Sequence, residues 1–168
     1  AALRSNAVGG ENTAMGSLAL DGNTGANFNT AVGRQALYVS NSDNNTAVGN
    51  ESLAQLTSGA GNTALGKLAG YSNITGANNT YLGFGAGNSG SLDGLTNATA
   101  IGYDAQVTQA NSIILGNGVV NVGIGTTSPY AKLSVVGEVV ASYFTATSTT
   151  ASSTFANGLS ISAGCFAI

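Results

Sequence analysis

The chain has 168 residues and a net charge of −3, and only 7% of its residues are charged, where an ordinary globular chain carries about 25%. So little charge leaves a small chain poorly solvated, so much of its surface must be hidden in self-association or covered by Asn, Ser and Thr. Four basic residues, Arg4, Arg34, Lys67 and Lys132, are too few to neutralise phosphates along one face, which excludes nucleic acid as a partner, and 43% hydrophobic residues with so few charges exclude a disordered chain.

In chain order, one short unit recurs. Asn12-Thr13-Ala14-Met15-Gly16 returns as Asn29-Thr30-Ala31-Val32-Gly33, Asn45-Thr46-Ala47-Val48-Gly49, Asn62-Thr63-Ala64-Leu65-Gly66 and Asn79-Thr80-Tyr81-Leu82-Gly83. Weaker copies end at Gly102 and Gly116, and Asn6-Ala7-Val8-Gly9 reads as a partial one. The closing glycines, Gly16, Gly33, Gly49, Gly66, Gly83, Gly102 and Gly116, are 17, 16, 17, 17, 19 and 14 residues apart. Three residues after each comes a small residue, often followed by Leu, as at Leu20, Leu37 and Leu53. A variable stretch rich in Gly, Asn, Ser and Thr leads to the next copy. Periods of this length are the mark of a solenoid.

Each unit is strand-length and alternates. Met15, Val32, Val48, Leu65, Leu82, Ile101 and Leu115 form one column, with the repeat threonines on the same face two residues earlier. The opposite face carries Ala14, Ala31, Ala47, Ala64, Tyr81, Ala100 and Ile114. Both faces are apolar, which predicts a strand buried on both sides. A coil of about 17 residues has one interior, so the second buried face needs a partner, and the cheapest is another copy of the chain. The glycines are expected at turns with positive φ, and the Asn before each Thr is expected to stack as a hydrogen-bonded ladder. The density of Gly and the lack of a 3.6-residue stripe exclude helices.

These units resemble the head repeats of trimeric autotransporter adhesins, and more closely the NTAVG-type repeats of phage tail-fibre and related bacterial surface-fibre proteins, over roughly residues 5–120. The segment Val122-Gly123-Ile124-Gly125-Thr126-Thr127-Ser128-Pro129, continuing to Gly137, resembles the connector that follows such repeats. The resemblance implies a homotrimer of β-rolls in an extracellular fibre, followed by a neck and shaft. Repeats here are longer than those of the adhesin heads.

The expected organisation is a repeat solenoid over 1–120, a connector over 121–137, and a Ser/Thr-rich strand or shaft over 138–168 that continues past the last residue. The opening residues already read as repeat, so the chain is also expected to begin inside a longer precursor. No apolar run approaches the ~18 residues of a membrane span. Cys165, the single cysteine, excludes a disulfide framework within the chain. It reads as a small buried hydrophobe, or else as a bridge to another chain or to sequence beyond residue 168.

Chemistry is sparse. Without histidine, Ser-His-Asp and Cys-His nucleophiles and histidine metal sites are excluded. Gly85-Ala86-Gly87-Asn88-Ser89-Gly90 matches the dinucleotide fingerprint, but no helix is expected after it. The carboxylates Glu51 with Asp104, and Asp43 with Asp93, occupy equivalent repeat positions three coils apart, or about 14 Å, too far for a glycosidase pair within one chain. Asp21, Asn23 and Asp43 could meet loop carbonyls around calcium, although no nonapeptide calcium repeat is present. Tyr38 and Tyr71 each stand five residues after a repeat glycine. They are candidate contact aromatics for a sugar or protein receptor, or else edge packing that shields the next coil. Phe84 and Tyr103 read as packing residues. The threonines lack a second threonine two residues on, unlike the paired columns of an ice-binding face.

The expected fold is therefore all-β: a stacked short-repeat solenoid, or β-roll, packed or intertwined as a homotrimer with a β-strand shaft. The expected function is that of a structural and adhesive subunit of an extracellular fibre, with no catalytic residue, cofactor or metal. A purely structural filament or matrix protein is the alternative, followed by a glycan-cleaving spike and an ice-binding solenoid.

Overall fold

Repetition fixes where each strand begins. Thr and a larger apolar residue flank an Ala in most copies, and Gly ends the run, which gives three-residue strands with a turn at a fixed place. In the computed structural model, residues 1–88 and 94–141 are described. They contain β1 (Thr13–Met15), β2 (Thr30–Val32), β3 (Thr46–Val48), β4 (Thr63–Leu65), β5 (Thr80–Leu82), β6 (Gly87–Asn88), β7 (Thr99–Ile101), β8 (Gln106–Val107), β9 (Ile113–Leu115), β10 (Val122–Ile124) and β11 (Leu133–Val135).

The architecture is a parallel β-solenoid of about six turns, all-β and without helix among the described residues. One sheet runs β1-β2-β3-β4-β5-β7-β9. Like pairs with like along it: Thr30 with Thr46, Ala31 with Ala47, Val32 with Val48. The register survives unequal coils, since Thr80 still pairs with Thr99 and Thr99 with Ile113. The variable stretches therefore absorb the differences in length. On another wall, β6 and β8 form a short parallel pair.

The two strand faces have different fates. Ala31, Ala47, Ala64, Tyr81 and Ala100 point inward and are fully buried, together with Leu20, Leu37, Leu53 and the small residues Ala19, Ala36, Ala69, Ala86 and Ala105. The coil is narrow, so small strand residues leave room for leucines from elsewhere in the coil. The other face is not covered within the chain. Met15 is 66% exposed and Leu65 48%, and Val32 and Val48 are half-buried.

The repeat glycines from Gly16 to Gly102 each mark a close approach of two coils. Gly49 has φ 141°, and a Cβ there would lie 2.4 Å from the carbonyl oxygen of Gly66. Gly33 stands in the same relation to Gly49. Turn residues are left-handed even where they are not glycine, as at Gln35, Leu37, Glu51, Leu53 and Leu68.

The asparagine ladder is present, and its rungs run from side chain to backbone. The Oδ1 atoms of Asn12, Asn29, Asn45 and Asn62 accept from the backbone N–H of Asn29, Asn45, Asn62 and Asn79 at 2.9–3.0 Å. Asn79 closes the series on Ala98 N. Each amide thereby satisfies a buried donor of the next coil, which would be costly to leave unpaired.

The partial copy Asn6–Gly9 is not a strand of the sheet. Asn23 Nδ2 donates to Asn6 Oδ1, and both asparagines accept from the N–H three residues on. One coil of 17 residues places Asn6 over Asn23, on a turn, whereas Asn12 lies over Asn29. Residues 121–137 form a parallel pair of their own, β10 with β11, in which Val122 meets Leu133. Residues 138–141 carry no element. The rest of the expected shaft, with Cys165, lies outside the described residues, as do Asp93 and the last two positions of the 85–90 glycine motif.

Candidate functional site

Tyr38 and Tyr71 come together. Tyr38 follows buried Leu37, and Tyr71 follows Gly70 at the equivalent place two coils on. Left-handed turns at Gln35 and Leu37 carry the chain across this wall, so the leucine packs inward while the tyrosine stays half-buried outside it. Ala54 holds the same position in the intervening coil. An aromatic, a methyl and an aromatic in succession leave a gap, and a cleft of about 570 Å³ opens between Tyr38 and Tyr71 over Ala54. That volume lies within the ~300–1,000 Å³ of small-molecule sites.

Polar groups rim the cleft. Gln35 and Gln55 line it with side-chain amides that hydrogen-bond to nothing among the described residues. Glu51 also lines it, and its Oε1 accepts from Arg34 Nη1 at 2.9 Å. Thr57 donates its hydroxyl to the carbonyl of Ile74. A second cleft of about 280 Å³ uses the far side of Tyr71, with Asn88 and Gln106 among its lining residues. Tyr71 is thus a wall shared by two adjoining hollows.

The sequence pointed to Tyr38 and Tyr71 together as candidate contact aromatics, without showing that they wall one cleft. The signal for the pair was the repeat arithmetic, since both stand five after a glycine, two coils apart, with Ala54 between. Gln35 and Gln55 were visible only once the coils were stacked, and Glu51, weighed in the sequence as a partner of Asp104, lines the cleft beside them instead.

The other residues expected to carry chemistry are engaged elsewhere. Asp21 pairs with Arg4 at 2.8 Å, and Asp43 accepts from Asn27 N. Among the described residues, no group of three or more Cys, Asp or Glu comes together to hold a metal. Glu51 is the one carboxylate lining the larger cleft, whereas glycoside hydrolysis needs two. Phe84 and Tyr103 stack at 5.7 Å between ring centroids, with Lys67 Nζ over the Phe84 ring.

The uncovered sheet face is the second candidate surface. Its two columns are the threonines and the Met/Val/Leu file in register, with no charged residue in either. No helix among the described residues is long and apolar enough to cross a membrane. Comparison with protein families, curated proteins and solved structures finds no match for the chain.

Proposed function

We propose that the chain is a subunit of an extracellular homotrimeric fibre that carries attachment surfaces on a rigid stack of coils. The observation that carries this reading is the outward file Met15, Val32, Val48, Leu65, Leu82, Ile101 and Leu115, partly or largely exposed in the single chain. Isolated exposed apolar residues are ordinary, but a continuous stripe of them marks an interaction surface. A surface repeated once per coil is best matched by one with the same repeat, and a copy of the chain supplies it. Threefold closure is what the resemblance to trimeric fibre repeats adds. Adhesion rests on the same resemblance and on the tyrosine-walled cleft, which lies on turns away from the sheet.

Sedimentation equilibrium on the purified chain tests the assembly. The expected mass is three times 16.4 kDa. A stable, monodisperse monomer overturns the reading. Masses that grow without limit favour the purely structural filament instead.

A further inference from the structure

We propose that the cleft between Tyr38 and Tyr71 binds an uncharged pyranose ring, as one unit of a linear glycan that passes over Tyr71 into the adjoining hollow. This deepens the adhesive reading, and it rests on that reading only for its biological purpose.

Size comes first. The tyrosines stand two coils apart, about 10 Å at ~4.8 Å per coil. A ring touching a wall on each side at ~3.5–4.0 Å needs roughly 7–8 Å. One saccharide unit fills such a slot, and Ala54, which is 7% exposed, keeps its floor low. Aromatic rings offer apolar faces to the C–H face of a sugar while their hydroxyls stay wet.

Charge and hydrogen bonding then narrow the class. The cleft contains one carboxylate, Glu51, already held by Arg34. It offers no unpaired cation for a sulfate, phosphate or uronic acid. The Gln35 and Gln55 amides each donate and accept, which suits hydroxyl groups that do both. A flat apolar ligand would leave those amides unpaired, whereas a polyol uses them. The second hollow continues past Tyr71, with Leu68, Ser72 and Gln106 among its lining residues, so a chain of several units gains contacts that a monosaccharide lacks.

The test is titration calorimetry of the full chain with neutral hexasaccharides of glucose, mannose and N-acetylglucosamine, and with an oligogalacturonate as the charged comparison. At least one neutral hexasaccharide should bind more tightly than its monosaccharide, and the oligogalacturonate should not bind. Tyr38→Ala and Tyr71→Ala should each weaken binding at least tenfold. Ala54→Tyr places in the middle coil the residue that both flanking coils already carry. It should abolish binding while thermal unfolding and native mass stay those of the parent. The proposal is overturned if no neutral glycan binds, if only the charged one does, or if Ala54→Tyr binds as well as the parent. Native mass is read on the same samples, so a monomer that binds glycan sinks the assembly alone, and a trimer that binds none sinks the cleft alone.

Discussion

Gly70 and Tyr81 depart from the repeat together, and each explains the other. Gly70 stands where Leu20, Leu37 and Leu53 stand in earlier coils, and Tyr81 stands in the inward alanine column between Ala64 and Ala100. A Cβ on Gly70 would come within 2.6 Å of the Tyr81 ring and 2.7 Å of Leu53 Cδ2. The phenol ring therefore fills the volume that a leucine would occupy. The exchange carries a cost, because the Tyr81 hydroxyl is buried and finds no hydrogen-bond partner among the described residues. Burial also pushes its pKa upward by disfavouring the phenolate. Tyr81→Ala should remove about 3–5 kcal/mol, as expected for a large buried ring. Gly70→Leu alone should also destabilise, through overpacking by about 1–3 kcal/mol or more. The double variant restores the repeat's own pairing at a φ that Leu20, Leu37 and Leu53 already adopt. It should recover most of the loss, a coupling between touching residues that thermal unfolding of the four proteins measures. Losses that simply add would show that the two side chains do not share one space.

At the scale of the strand, the deciding question is which face looks inward. Register was legible in the sequence, because identical residues at equal spacing can stack only on themselves, and Thr30, Thr46 and Thr63 do. The inward face was not, since alternation shows two apolar faces without ranking them. The narrow coil admits alanine and excludes the larger file, so Val48, expected to be enclosed, is half-buried in the single chain between Val32 and Leu65. Val48→Asp separates folding from assembly for this reason. In one chain its carboxylate reaches water, and the strand should still form. Between chains it would be buried without a partner, at several kcal/mol. If the chains assemble as proposed, the variant should fold while its native mass falls from three chains to one. An intact oligomer carrying Asp at position 48 would mean that this face stays in solvent. Ser42 is a poor control for such an experiment, although its variable stretch looks bland. Its hydroxyl donates to Gly59 O and accepts from Asn45 Nδ2, wiring that no spacing rule announces.

Across the whole molecule, the coils communicate only with their neighbours, so where a defect falls along the stack should matter as much as what it removes. The sequence displayed this one-dimensional order through its glycines, and it displayed Asn12, Asn29, Asn45, Asn62 and Asn79 as a candidate ladder. It could not show that the asparagines cap backbone donors, because that depends on how far one coil is shifted over the next. Asn62 sits in the middle and is fully buried. Its Oδ1 accepts from Asn79 N, and its Nδ2 donates to Gly59 O, Gly76 O and Asn45 Oδ1. Asn12 sits at the end, half-buried, accepting from Asn29 N and donating to Ala26 O. Truncating either to Ala orphans one N–H of the following coil, but only at Asn62 do several enclosed groups lose their partners together. Each such group costs about 1–3 kcal/mol, so Asn62→Ala should cost about 3 kcal/mol or more and Asn12→Ala about half that. The mode of failure should differ too. Loss at the centre weakens the contact between two half-stacks, so urea unfolding of Asn62→Ala should broaden with a reduced m value. Loss at the end should shift the midpoint of Asn12→Ala and leave its slope unchanged. Hydrogen exchange gives the same contrast site by site: the Asn79 amide should lose protection in the first variant and keep it in the second. Equal midpoints, slopes and protection in the two variants would mean that the ladder decorates the stack without holding it.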